Sequence, residues 1–148
     1  MAQFTIKADD RAVQRRFKVM GKYLKDFKKP LKESADFAKE MYEANFDKKG
    51  SEFGGWKPLA PSTLMAKTKA GYPSKPLIRT GKMKGSFDTK ELKKTKAVVW
   101  NKLQEEYFKY HQLGTSKMPK RVMISINKKL EDKVQKFFKD YIHKSLKK

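Results

Sequence analysis

The sequence contains no cysteine, two histidines and five arginines in 148 residues. Without thiols there is no disulfide framework, zinc-ribbon site or sulfur nucleophile, and the redox compartment is left open. The two imidazoles, His111 and His143, fall in different expected elements and lack an H-E-x-x-H or C-x-x-C partner, so no metal or cofactor site is expected. Long apolar runs are also missing. Nothing approaches the ~18–20 residues that span a bilayer, and Met1 to Asp10 lacks the apolar stretch of a secretory signal, so a soluble, intracellularly made protein without membrane contact is expected.

What the chain has in excess is positive charge: 37 Lys plus Arg against 16 Asp plus Glu, a formal net charge of +21. Only Arg11, Arg15, Arg16, Arg79 and Arg121 are arginines. The remaining cations are lysines, point charges on flexible stems rather than the bidentate forks that read base edges, so general electrostatics outranks sequence reading. The excess is not a detachable tail, since residues 1–46 carry net +4, 47–126 carry +12 and 127–148 carry +5. Ten Phe, six Tyr and two Trp suffice for a core, and the length suits one domain over 1–148.

Three regions are expected within that domain. In 1–46, a short strand at Phe4–Ile6 precedes a helix capped at Asp9-Asp10, whose apolar stripe is Val13, Phe17, Met20, Leu24 and Phe27. Pro30 breaks or restarts the helix, and Leu31, Ala35, Ala38, Met41 and Phe46 continue the pattern. Region 47–126 opens with a glycine loop to Gly55 and holds only short elements: a helix from Pro61 to Lys67 capped by Ser62 or Thr63, a hairpin of Ser86–Thr89 with Ala97–Trp100, and a strand at Arg121–Ile126. In 127–148, Asn127 caps a long helix with Leu130, Val134, Phe137, Phe138, Tyr141, Ile142 and Leu146 on one face. The fold class is α+β: a small antiparallel sheet, N-terminal amphipathic helices and a long C-terminal helix.

Catalytic signatures are absent: there is no G-x-S-x-G elbow and no G-x-x-x-x-G-K-[ST] loop. The acidic pairs Glu105-Glu106 and Glu131-Asp132 point about 100° apart on a helix, which suits solvated or capping charges better than an acid/base dyad. No catalytic residue is assigned. Phe53, Trp56, Tyr72, Tyr107 and Tyr110 lie among lysines and can in principle stack bases, although core or subunit packing is preferred for them.

Several residues are candidates for contacts between subunits or with partners. Trp56, Pro58 and Leu59 form a rigid apolar segment after a glycine loop, for which burial within the same subunit is the competing reading. Thr80 caps a turn that Gly81 allows to be tight, and Tyr110 to Gly114 reads as a helix end with His111 near the last carbonyls and Gly114 in a left-handed cap. Pro119 and Arg121 complete the set.

The order of motifs is Phe53-Gly54-Gly55-Trp56-Lys57-Pro58-Leu59, Pro61-Ser62-Thr63, Leu77-Ile78-Arg79-Thr80-Gly81-Lys82-Met83 with Ser86-Phe87, Tyr107, Tyr110-His111-Gln112-Leu113-Gly114 and Pro119-Lys120-Arg121. Over residues 50–126 this resembles the phage virion morphogenesis, or tail completion, family of tailed bacteriophages. The family usually continues with proline and an aromatic where this chain has Val122-Met123-Ile124. The resemblance implies a structural virion protein at the head-tail junction or tail end, assembled in the host cytoplasm. It implies a homo-oligomer, often a hexameric ring, that joins other neck, portal-adaptor or tail-tube proteins, with passing DNA as a further partner and no cofactor. The rival expectation is a basic accessory protein that binds nucleic acid without sequence preference.

Overall fold

The computed structural model describes residues 10–90 and 92–147. The expected strand at Phe4–Ile6, the Asp9 cap and the side chain of Val13 lie outside what is described. Among the described residues the fold is α+β, with five α-helices and one two-stranded antiparallel sheet.

Helix α1 (Asp10–Tyr23) and helix α2 (Lys28–Asp47) are separate. The break falls before Pro30, which sits buried in the first turn of α2, where the missing N–H costs no hydrogen bond. Leu24 and Phe27 therefore lie beyond α1 rather than on its stripe. The Phe27 ring is 5.5 Å from Phe138, while its N–H donates to the Lys94 carbonyl at 2.8 Å. Phe17 and Leu24 are 64% and 47% exposed, so the expected apolar stripe is only partly covered, because α1 packs mainly against a single neighbour, the C-terminal helix.

Helix α2 carries the core. Ala38, Met41, Tyr42 and Phe46 recur at helical spacing and are buried. The rings of Tyr42, Phe46, Trp56, Phe87 and Phe108 form a chain of contacts with centroids 5.2 to 6.0 Å apart. After α2, Gly50 takes φ +81°, and a Cβ there would collide with the Trp56 indole, so both backbone and space require glycine.

Helix α3 (Pro61–Lys69) starts with its proline in the first turn and has no side-chain cap. Ser62 and Thr63 are inside the helix, which corrects the expected cap. A short 3-10 turn at Lys84–Ser86 leads into β1 (Phe87–Lys90), which pairs with β2 (Val98–Asn101) in the register Phe87 to Asn101 and Lys90 to Val98. The hairpin is the expected one, displaced by a residue because Ser86 belongs to the turn.

A π-helical turn, Gln104–Phe108, runs into the short helix α4 (Lys109–Leu113). The expected strand at Arg121–Ile126 does not form. Its backbone is held by side chains instead: Gln112 Oε1 accepts from the N–H groups of Met123 (2.7 Å) and Ile124 (3.1 Å), and Gln112 Nε2 donates to the Ile124 carbonyl (2.7 Å). Trp56 Nε1 donates to the Val122 carbonyl and Tyr42 Oη to the Ser125 carbonyl. With these groups satisfied, the alternating sequence has no need of a neighbouring strand. Helix α5 (Lys128–Leu146) closes the fold, its first turn capped as expected by Asn127, whose Oδ1 accepts from the Leu130 N–H at 3.0 Å. No described helix is long and apolar enough to cross a membrane.

Candidate functional site

Segments distant in sequence meet around a groove of about 1070 Å³. One wall is Lys57–Ala60 with α3, a second is the irregular stretch from Tyr72 to Met83, and a third combines Tyr107 and His111 with Lys117, Met118, Pro119 and Arg121. Of the ten expected contact residues, Pro58, Leu59, Thr80, Gly81, His111, Pro119 and Arg121 line it. Trp56, Tyr110 and Gly114 do not.

Trp56 belongs to the core, 8% exposed, edge-on to Phe46 at 5.2 Å. Tyr110 is 47% exposed on α4, away from the groove lining. Gly114 has φ +77° but ψ 167°, an extended glycine conformation rather than the expected left-handed cap. Its role is close approach: a Cβ there would lie 2.8 Å from the Lys120 backbone nitrogen, so glycine lets the 114–120 loop fold back on itself. Thr80 does cap its turn, accepting from the Lys82 N–H at 3.5 Å, and Gly81 has φ +79°.

The groove's charge is one-sided. Lys57, Lys67, Arg79, Lys82, Lys117 and Arg121 line it, and no described carboxylate does. Elsewhere acids and lysines are matched, as in Lys84 with Asp47 (2.7 Å), Lys48 and Lys129 with Glu52 (2.7 and 3.0 Å) and Lys136 with Asp140 (2.9 Å). None of the described ion pairs includes a groove cation.

The two innermost cations are held by carbonyl oxygens. Arg121 is 7% exposed and donates from Nε and Nη2 to the Lys57 carbonyl (3.3 and 3.2 Å) and from Nη2 to Pro58 (3.4 Å). Lys67 Nζ donates to the carbonyls of Lys75 (2.6 Å) and Ile78 (2.5 Å). Carbonyl dipoles satisfy the donors but leave the net charge in place. Burial accordingly lowers the pKa of both groups, and Arg79 lowers that of Lys67 further. His111 is likewise pulled below the ordinary 6.5, first by burial and then by Arg121, and its Nδ1 is buried without a hydrogen-bond partner. The Arg79 guanidinium lies 4.6 Å from the centre of the Tyr72 ring, covering one face of it.

Lys57, Arg79 and Lys82 stand inside the motif segments, but no motif or spacing marks them as one cluster, and none includes Lys117. A signal for those from Lys57 to Lys82 exists, because no Asp or Glu occurs between Glu52 and Asp88 while seven cations do, but it does not reach Lys117. Among the described residues no cluster of three or more His, Asp or Glu is placed to hold a metal ion.

Comparison with protein-family models, with curated proteins and with solved structures gives no match to this chain.

Proposed function

We propose that this chain is a structural protein of a tailed-phage particle, a ring component at the neck or tail end that acts by assembly. The observation that carries the proposal is the convergence of the family-like segments around 57–59, 77–83, 107–111 and 119–121 on the walls of one groove, although they are spread over more than 60 residues of sequence. Most of that groove is built from irregular backbone pinned by side chain to carbonyl bonds, which suits a surface shaped for contact. The partners are sister copies, other neck, portal-adaptor or tail-tube proteins, and DNA passing through the joint.

The test is composition and morphology. Purified particles contain the protein at a fixed low copy number, and particles assembled without it leave heads and tails unjoined in electron micrographs; tubes of uncontrolled length place it at the tail end instead. A protein absent from particles, with assembly unaffected by its removal, overturns the proposal.

The unneutralised groove also favours a second reading, a nucleic-acid-binding accessory protein. That protein retards DNA in a gel at moderate salt and is missing from particles.

A further inference from the structure

We propose that the groove between α3 and the Lys117–Arg121 loop receives an acidic, amphipathic segment of a partner protein, whose carboxylates meet the groove lysines and whose apolar side chains lie on its wall. This takes the assembly proposal one step further by giving the partner a chemistry. Three observations select it.

The first is complementarity. Six cations line the groove, the described ion pairs all lie elsewhere, and the two innermost cations are satisfied by carbonyls rather than by countercharge. An incoming carboxylate therefore displaces no internal partner at Lys57, Lys82 or Lys117. A sister copy is a poor occupant, since each copy carries +21.

The second is the wall between the charges. Pro58, Leu59, Ala66, Leu77, Ile78 and Met118 are aliphatic. Such a wall pairs with alternating apolar and acidic side chains.

The third disfavours nucleic acid. Base stacking requires open ring faces, but of the two groove rings Tyr72 is covered on one face by Arg79 and Tyr107 is partly buried against the core. Arg121, which could grip a phosphate with two parallel bonds, already donates to backbone carbonyls.

The experiment uses two fluorescein-labelled twelve-residue peptides with the same apolar residues, alternating with Glu in one and Gln in the other, and a single-stranded DNA of twelve nucleotides. Binding to the full chain is read by anisotropy at low and high salt. The Glu peptide binds at least ~10-fold tighter than the Gln peptide, the preference shrinks with salt, and the triple variant Lys57→Glu, Lys82→Glu, Lys117→Glu loses at least ~10-fold.

The control variant Lys139→Glu, Lys144→Glu, Lys147→Glu makes the same change in net charge on α5 and its C-cap, outside the groove, and keeps at least half the affinity. Circular dichroism confirms that both variants fold; if the first does not, Lys57→Gln, Lys82→Gln, Lys117→Gln replaces it.

Equal binding of the two peptides, no binding of either, equal losses in groove and control variants, or tighter binding of the DNA that is lost with the groove lysines would each overturn the proposal. The particle test is separate. A protein present in particles whose groove ignores the Glu peptide loses this inference alone, and one that binds the peptide but is absent from particles loses the assembly proposal.

Discussion

Gln112 carries more of the fold than its neighbours. It supplies two acceptor contacts and one donor to a stretch that has no strand partner, and the Met123 it serves is fully buried. Gln112→Ala strands a buried N–H and is expected to cost about 2–4 kcal/mol, read as a lower midpoint in urea. Gln112→Glu keeps the acceptor but sets a carboxylate oxygen against the Ile124 carbonyl where Nε2 now donates, so it does not restore the native contacts. A loss under about 1 kcal/mol for Gln112→Ala would mean that these contacts do not anchor the segment.

His111 makes a prediction of opposite kind. The fold favours its neutral form, so the unfolded chain takes up a proton first as pH falls through 6.5, and stability drops below that point until the folded-state pKa is passed. His111→Gln removes this part of the slope in melting temperature measured from about pH 8 to about pH 5, and an unchanged profile would refute it.

At this scale the sequence was legible where one residue makes its own local structure, as Asn127 does in capping α5. It was not legible where the partner is remote. Burial of Trp56 was one of the two readings its segment allowed, but nothing in the order of residues says that it will meet Phe46, that Gln112 will replace a β-ladder, or that the backbone at Gly114 serves close approach to Lys120 rather than a helix cap.

Among the elements, α3 stands apart. Of its residues only Lys67 is partly buried, and Met65 is 72% exposed, so no apolar face holds it to the body. What ties it down is the Lys67 ammonium on the carbonyls of Lys75 and Ile78, together with the backbone bond from the Tyr72 N–H to the Lys67 carbonyl. Lys67→Met keeps the stem and removes the donors. It is expected to speed amide hydrogen exchange in 61–70 by ~10-fold or more while leaving α2 and α5 protected. Uniform loss of protection would show instead that α3 is integral to the core.

Periodicity identified α2, whose apolar face is buried, and α5, whose apolar face is mostly half-buried, and it placed the hairpin to within one residue. It overestimated the covering of α1, since an apolar stripe reports capacity for burial and not the number of neighbours available.

For the molecule as a whole, the electrostatic effect that the net charge of +21 sets is self-repulsion. With +21 on 148 residues and a groove whose cations have no acidic counterpart, screening by salt stabilises the compact state. Raising KCl from about 20 mM to about 500 mM is expected to raise the melting temperature, by about 2–4 °C for each kcal/mol of repulsion relieved. A fall would mean that the exposed ion pairs, such as Lys32 with Asp36 and Lys128 with Asp132, outweigh the unpaired cations.

The bond from the Trp56 indole to the Val122 carbonyl joins the beginning of the groove-forming sequence to its end, 66 residues later. The chain has one other tryptophan, Trp100, half-buried under the Lys90 ammonium. Trp100→Phe therefore leaves a single tryptophan, excitable at wavelengths beyond the absorption of the six tyrosines, at the seam of the molecule. Its emission colour reports, without any label, whether the two strands of sequence that frame the binding surface are still clasped.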